Sequence, residues 1–61
     1  MKYSYIIIDD NQESVLKTKA VADCFSELVF VASVNNYEEG VNLILEQSPQ
    51  LVFLEIDPVD T

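Results

Sequence analysis

Acidic residues carry the chemistry available to this 61-residue chain: it has eleven carboxylates, three lysines and no histidine. Two of the acids, Asp9 and Asp10, lie side by side where the apolar run Ile6-Ile7-Ile8 stops. Two more, Glu55 and Asp57, close the last apolar run, Leu51 to Ile56. Carboxylates gathered in this way suit a hard cation that wants oxygen ligands, or a basic partner surface. They do not suit phosphate-rich partners, since a net charge of -8 repels nucleic acid and anionic membranes.

Those acids need elements to position them. Ile6-Ile7-Ile8 is apolar on both faces, which marks a buried parallel strand from about Tyr3 to Ile8. Asp10-Asn11-Gln12-Glu13 then matches a capping box and predicts a helix from about Gln12 to Phe25. Its expected core stripe is Val15, Leu16, Ala20, Cys24 and Phe25, with Lys17 and Lys19 solvated. Leu28 to Val34 reads as a second strand, and Asn36 with Glu39 forms a second capping box. The helix that follows, Tyr37 to Gln47, carries Tyr37, Val41, Ile44 and Leu45 at core spacing, with Glu38, Glu39 and Glu46 on its wet side. Gly40 inside it costs about 1 kcal/mol relative to alanine, so a close approach to the sheet is expected there. Pro49 stops this helix, because proline drives the preceding residue out of the helical region. Leu51 to Ile56 is the third strand.

Strands separated by helices of this length must run parallel. The expected fold is therefore α/β: a βαβαβ half of a doubly wound, flavodoxin-like parallel sheet in strand order 2-1-3. In such a sheet the ligand crevice lies beyond the carboxyl ends of the strands, where Asp9, Asp10 and Glu55 fall. Only two helices serve three strands, so the third strand should present an open apolar edge that invites another chain. A chain this short buries only about 60% of its unfolded surface, which again favours a partner. Phe30, Phe53 and Tyr37 are expected in or beside the core, and Tyr3 and Tyr5 at the start of the first strand.

Cys24 is expected to be a small buried residue; with no disulfide to form and no leader-like or membrane-spanning run, the chain reads as cytoplasmic. A nucleotide-binding βαβ unit needs glycines in its first turn, and Asp9-Asp10-Asn11-Gln12 has none.

The chain resembles the N-terminal half of a response-regulator receiver domain of two-component systems. The resemblance rests on Tyr5-Ile6-Ile7-Ile8-Asp9-Asp10, the capped first helix, Asn36-Tyr37-Glu38-Glu39-Gly40, and Ser48-Pro49-Gln50-Leu51-Val52-Phe53-Leu54-Glu55-Ile56. It covers nearly all of residues 1–61 and about half of a whole receiver. It implies a phosphorelay role in which a histidine kinase phosphorylates an aspartate at the end of the third strand. It also implies Mg²⁺, with Asp10 as direct ligand, Asp9 acting through water, and the Asp57 carbonyl completing the set. The phosphoacceptor position here holds Glu55, one methylene longer, which resembles a permanently phosphorylated aspartate. Ile56-Asp57-Pro58 is also one residue shorter than the family pattern before its proline.

The resemblance thus implies an atypical, phosphorylation-independent and non-enzymatic signalling domain. Its expected partners are a histidine kinase or other receiver chains, with self-association through the third-strand edge. Its expected output domain is C-terminal and DNA-binding. The alternative is a conventional receiver phosphorylated on Asp57 or Glu55.

Overall fold

The computed structural model describes residues 1–55. Its elements are β1 (Tyr3–Ile8), α1 (Gln12–Ala22), β2 (Leu28–Val34), α2 (Tyr37–Gln47) and β3 (Leu51–Leu54). The strands are parallel in the order β2-β1-β3. This is the βαβαβ arrangement that the alternation of apolar runs and capped helices predicts. Ile56, expected to end the third strand, lies outside the described residues, as does Asp57.

β1 is the centre of the sheet because its side chains have nowhere else to go. Tyr5, Ile6, Ile7 and Ile8 are fully buried, paired to a strand on each side and covered on each face. Against β3 the register is regular, from Tyr5 opposite Leu51 to Ile8 opposite Leu54. Gln50 fixes its start: its amide donates to the Ser4 carbonyl, and its side-chain oxygen accepts from the Ser4 amide, both at 3.0 Å. Against β2 the register slips by one residue, since Tyr5 faces Phe30 but Ile6 faces Ala32. Val31 is therefore the extra residue of a bulge.

On the α1 side of the sheet the core is Tyr5, Ile7, Val15 and Ala22, with Leu28, Phe30 and Phe53 packed against it. Tyr5 is its hub. The ring meets Phe30 edge-on at 5.6 Å and Phe53 at 5.4 Å, joining all three strands through one side chain. So Tyr5 fills the middle of the core and is not merely a residue lining the start of the strand.

Both helices turn differently from the stripes expected of them. In α1 the buried residues are Val15 and Ala22, whereas Leu16 and Phe25 are more than half exposed. The Tyr5 ring already occupies the space beneath α1, so small residues suit the contact and large ones are left outside. The helix also ends at Ala22, short of the expected Phe25. Cys24 and Phe25 donate to Val21 and Ala22, i→i−3 bonds that tighten the chain out of the α-helix. Cys24 is exposed there, contrary to the buried position expected of it.

In α2 the residue nearest the sheet is Gly40, the only buried one in that helix. An added Cβ would lie 2.5 Å from Ile8 Cδ1. The helix rides on Gly40, so Tyr37 and Leu43 are half-buried while Val41 and Leu45 stay exposed. The close approach is the one the sequence suggests, but it moves the contact face off the expected stripe. α2 closes at Ser48, which adopts a left-handed conformation (φ 49°, ψ 54°) and donates its amide to Ile44. Pro49 follows, and the helix stops where the sequence predicts.

Leu51, Val52 and Leu54 are exposed, and among the described residues β3 has a strand on one side only. Among the described residues no helix is long and apolar enough to cross a membrane.

Candidate functional site

The candidate site lies at the carboxyl end of the sheet, where β1 runs into α1. Asp9 follows the last residue of β1 and stays on the ladder, its amide donating to the Val34 carbonyl at 3.0 Å. It is 4% exposed, the one buried charged side chain among the described residues. Its Oδ1 accepts from the Asn11 amide at 2.9 Å, which holds the turn into the helix. Its Oδ2 is buried with no hydrogen-bond partner. A buried carboxylate oxygen without a donor costs free energy, so this atom asks for a cation or a donor.

Asp10 is exposed. The cap of α1 is Asn11, whose side-chain oxygen accepts from Glu13 at 2.9 Å and Ser14 at 3.2 Å. The expected box pairs Asp10 with Glu13, three residues on; the cap instead falls one residue later, on Asn11, because Asp9 holds the turn through the Asn11 amide. At α2 the box is reciprocal through side chains. Asn36 Oδ1 accepts from the Glu39 amide at 2.8 Å, and Asn36 Nδ2 donates to Glu39 Oε1 at 3.3 Å.

Glu55 stands on the other side of β1. Its amide donates to the Ile8 carbonyl at 2.9 Å, continuing the β3 register one step so that Glu55 comes level with Asp9. The side chain is exposed. Topology thus brings Asp9, Asp10 and Glu55 to one end of two neighbouring strands. Among the described residues, however, no group of three or more His, Cys, Asp or Glu side chains is arranged to hold a metal ion. The orphan oxygen of Asp9 fits a cation; the three acids as a set do not form its cage. Asp57, the expected carbonyl donor, lies outside the described residues.

A polar cleft of about 220 Å³ opens on the β2 side of Asp9, walled by Gln12, Val15, Ser33, Val34, Asn35 and Glu39 besides Asp9 itself. Ser33, Asn35 and Gln12 were not singled out by sequence reasoning, and Glu39 was read only as a capping and solvated residue. No local pattern marks them, because three separate elements bring them together. A second, apolar groove of about 330 Å³ runs between α1 and β3, lined by Lys17, Thr18, Val21, Ala22, Phe25 and Phe53.

No protein-family model matches this sequence, and comparison with curated proteins and with solved structures finds no match.

Proposed function

We propose that this chain is the N-terminal half of a receiver-like signalling domain of a two-component response regulator. In this reading it is an atypical domain with Glu55 at the phosphoacceptor position. The observation that supports it best is the hydrogen bond from the Glu55 amide to the Ile8 carbonyl. It brings the carboxylate-bearing residue that follows β3 level with Asp9, which with Asp10 follows β1, at the carboxyl ends of adjacent parallel strands. A phosphoryl-transfer pocket needs acids from these two strands, together with a cation to neutralise the phosphoryl oxygens.

In this reading the domain works through protein contacts, not turnover, in the cytoplasm. It regulates a C-terminal, DNA-binding output domain, and the exposed Leu51, Val52 and Leu54 give it an edge for other receiver chains or for the rest of its own domain. Mg²⁺, when bound, would be held by Asp10 directly, by Asp9 through water and by the Asp57 carbonyl, and would neutralise the two carboxylates. Glu55 would hold the site in one state, so that a histidine kinase is dispensable.

The test is phosphorylation of the protein as it occurs in its cell, using acetyl phosphate and Mg²⁺ with intact-mass readout. No adduct is expected. A complete shift of about 80 Da, the mass of one phosphoryl group, would favour a conventional receiver that accepts phosphate on Asp57 or Glu55.

A further inference from the structure

The outer face of α2 carries an apolar stripe and an acidic one, and the core uses neither. We propose that this face docks a basic amphipathic helix of a partner protein. The partner would lie along α2 with apolar side chains on Val41, Ile44 and Leu45 and cations on Glu38 and Glu46. This rests on that surface alone and does not depend on the signalling role. Three observations carry it.

First, the apolar stripe of α2 is displaced from the sheet. Gly40 seats the helix against Ile8, and so close a backbone contact leaves the larger side chains beside it or outside it. Val41, Ile44 and Leu45 are 49%, 36% and 75% exposed. Single exposed apolar residues are ordinary. These three stand at i, i+3 and i+4, the spacing at which helix side chains touch and at which helix recognition places its anchors.

Second, the stripe is bordered by acids without a counter-charge. Glu38, Asn42 and Glu46, at i, i+4 and i+8, run alongside it and are all exposed. α2 contains no lysine or arginine, and among the described residues the ion pair is Lys19 with Asp23, at the other helix. α1 covers the Tyr5 and Ile7 side chains, whereas α2 rests on Ile8. Strand alternation therefore sets Lys17 and Lys19 across the sheet from the acids of α2.

Third, Glu46 stands in the last turn of α2, which holds no basic residue. A helix ends in partial negative charge and favours a cation there, so this carboxylate is placed against the macrodipole. A lysine or arginine delivered by a partner supplies what the turn lacks. The net charge of -8 steers the same class of partner from a distance and repels an acidic one. The eleven residues of α2 are about 16 Å long, which matches three turns of a partner helix.

The probe is a fluorescein-labelled helical peptide of leucine and lysine, with leucines at i, i+3, i+4 and i+7. Its control carries glutamate for every lysine. Fluorescence anisotropy against the protein as it occurs in its cell, at low salt, should show saturable binding of the first and none of the second. Leu45→Gln should weaken binding about tenfold, the worth of one well-buried leucine. Glu38→Gln combined with Glu46→Gln should weaken it about threefold or more, as the loss of two exposed ion pairs would. Glu13→Gln combined with Glu27→Gln removes the same charge away from α2 and should change it less than about twofold. Glutamine is as good a helix former as leucine or glutamate, so the fold survives, as far-UV circular dichroism will verify. Equal weakening by the two double variants overturns the proposal, since the attraction would then belong to net charge alone. It is equally overturned if Leu45→Gln is silent, or if the lysine peptide does not bind at ~1 mM, the edge of measurable affinity.

Discussion

Gly40→Ala tests whether α2 is held at its distance from the sheet by one contact. In an open helix this change stabilises by about 1 kcal/mol, through propensity alone. Here the new Cβ would lie 2.5 Å from Ile8 Cδ1 and 3.0 Å from Ile8 Cγ1, far inside normal contact. Ile8 is 2% exposed and pinned between two neighbouring strands, so it has little room to move away. Overpacking of a tight core costs about 1–3 kcal/mol. The net expectation is destabilisation by roughly 1 kcal/mol, opposite in sign to the propensity effect.

Ile8→Val removes Cδ1, the atom in the way, and by itself costs about 0.5–1.5 kcal/mol. In the double variant the alanine methyl occupies the space Cδ1 vacated. The two changes should then offset each other, with a coupling of roughly 1–2 kcal/mol. Urea unfolding of the four proteins by far-UV circular dichroism measures it, provided the slopes stay equal. Additivity within about 0.5 kcal/mol, or a stabilising Gly40→Ala alone, would refute the contact as the determinant of the α2 position.

Four further outcomes are expected. Asn11→Ala removes the acceptor for Glu13 and Ser14 and should cost about 1 kcal/mol of stability in urea, with Asn11→Asp close to neutral. Tyr5→Phe deletes a buried hydroxyl without a hydrogen-bond partner and keeps both ring contacts, so the variant should be as stable as the parent or more so near neutral pH. Burial raises the Tyr5 phenol above its ordinary 10.0, with the charge of Asp23 adding and that of Lys19 opposing. The folded state therefore holds this proton more tightly than the unfolded chain. Its contribution is fully present below pH 10 and is lost as pH rises from there through the folded value, so the parent should lose more stability than Tyr5→Phe in a urea series taken above pH 10. Val52→Lys puts a charge on the exposed β3 edge, and any self-association seen by sedimentation velocity should fall sharply.

The sequence carried the fold because its signals agree with one another. The unbroken Ile6-Ile7-Ile8 run, the two Asn caps and Pro49 each state locally what the sheet requires globally. The helix faces were less legible. Apolar periodicity counts large side chains, whereas the residues that touch the sheet include Ala22 and Gly40, chosen for being small. Cys24 and Phe25 lie past the end of α1 because the chain tightens there, and tightening has no residue signature here. Of the site, Asp9 and Glu55 were legible from strand ends alone. The burial of Asp9, the exposure of Asp10 and the gathering of Ser33, Asn35 and Glu39 depend on how β2 aligns with β1, which no single stretch encodes.

That alignment makes β2 a strand written in two phases. Up to Phe30 its even-numbered residues share a face with Tyr5; past Val31 it is Ser33 that falls in step with Ile7, and Val34 with Ile8. The inserted residue works as a half-turn in the pattern. Deleting Val31 would leave those phases as they are, because Ala32, Ser33 and Val34 would follow Phe30 in plain alternation and keep Ile6, Ile7 and Ile8 as their partners. Straightening the strand with Val31 kept is what would exchange them: Val31 would stand opposite Ile6, Ala32 opposite Ile7 and Ser33 opposite Ile8, which turns the hydroxyl toward the α2 side. The polarity beside Asp9 therefore depends on where β2 stores its extra residue, and not on the length of the strand.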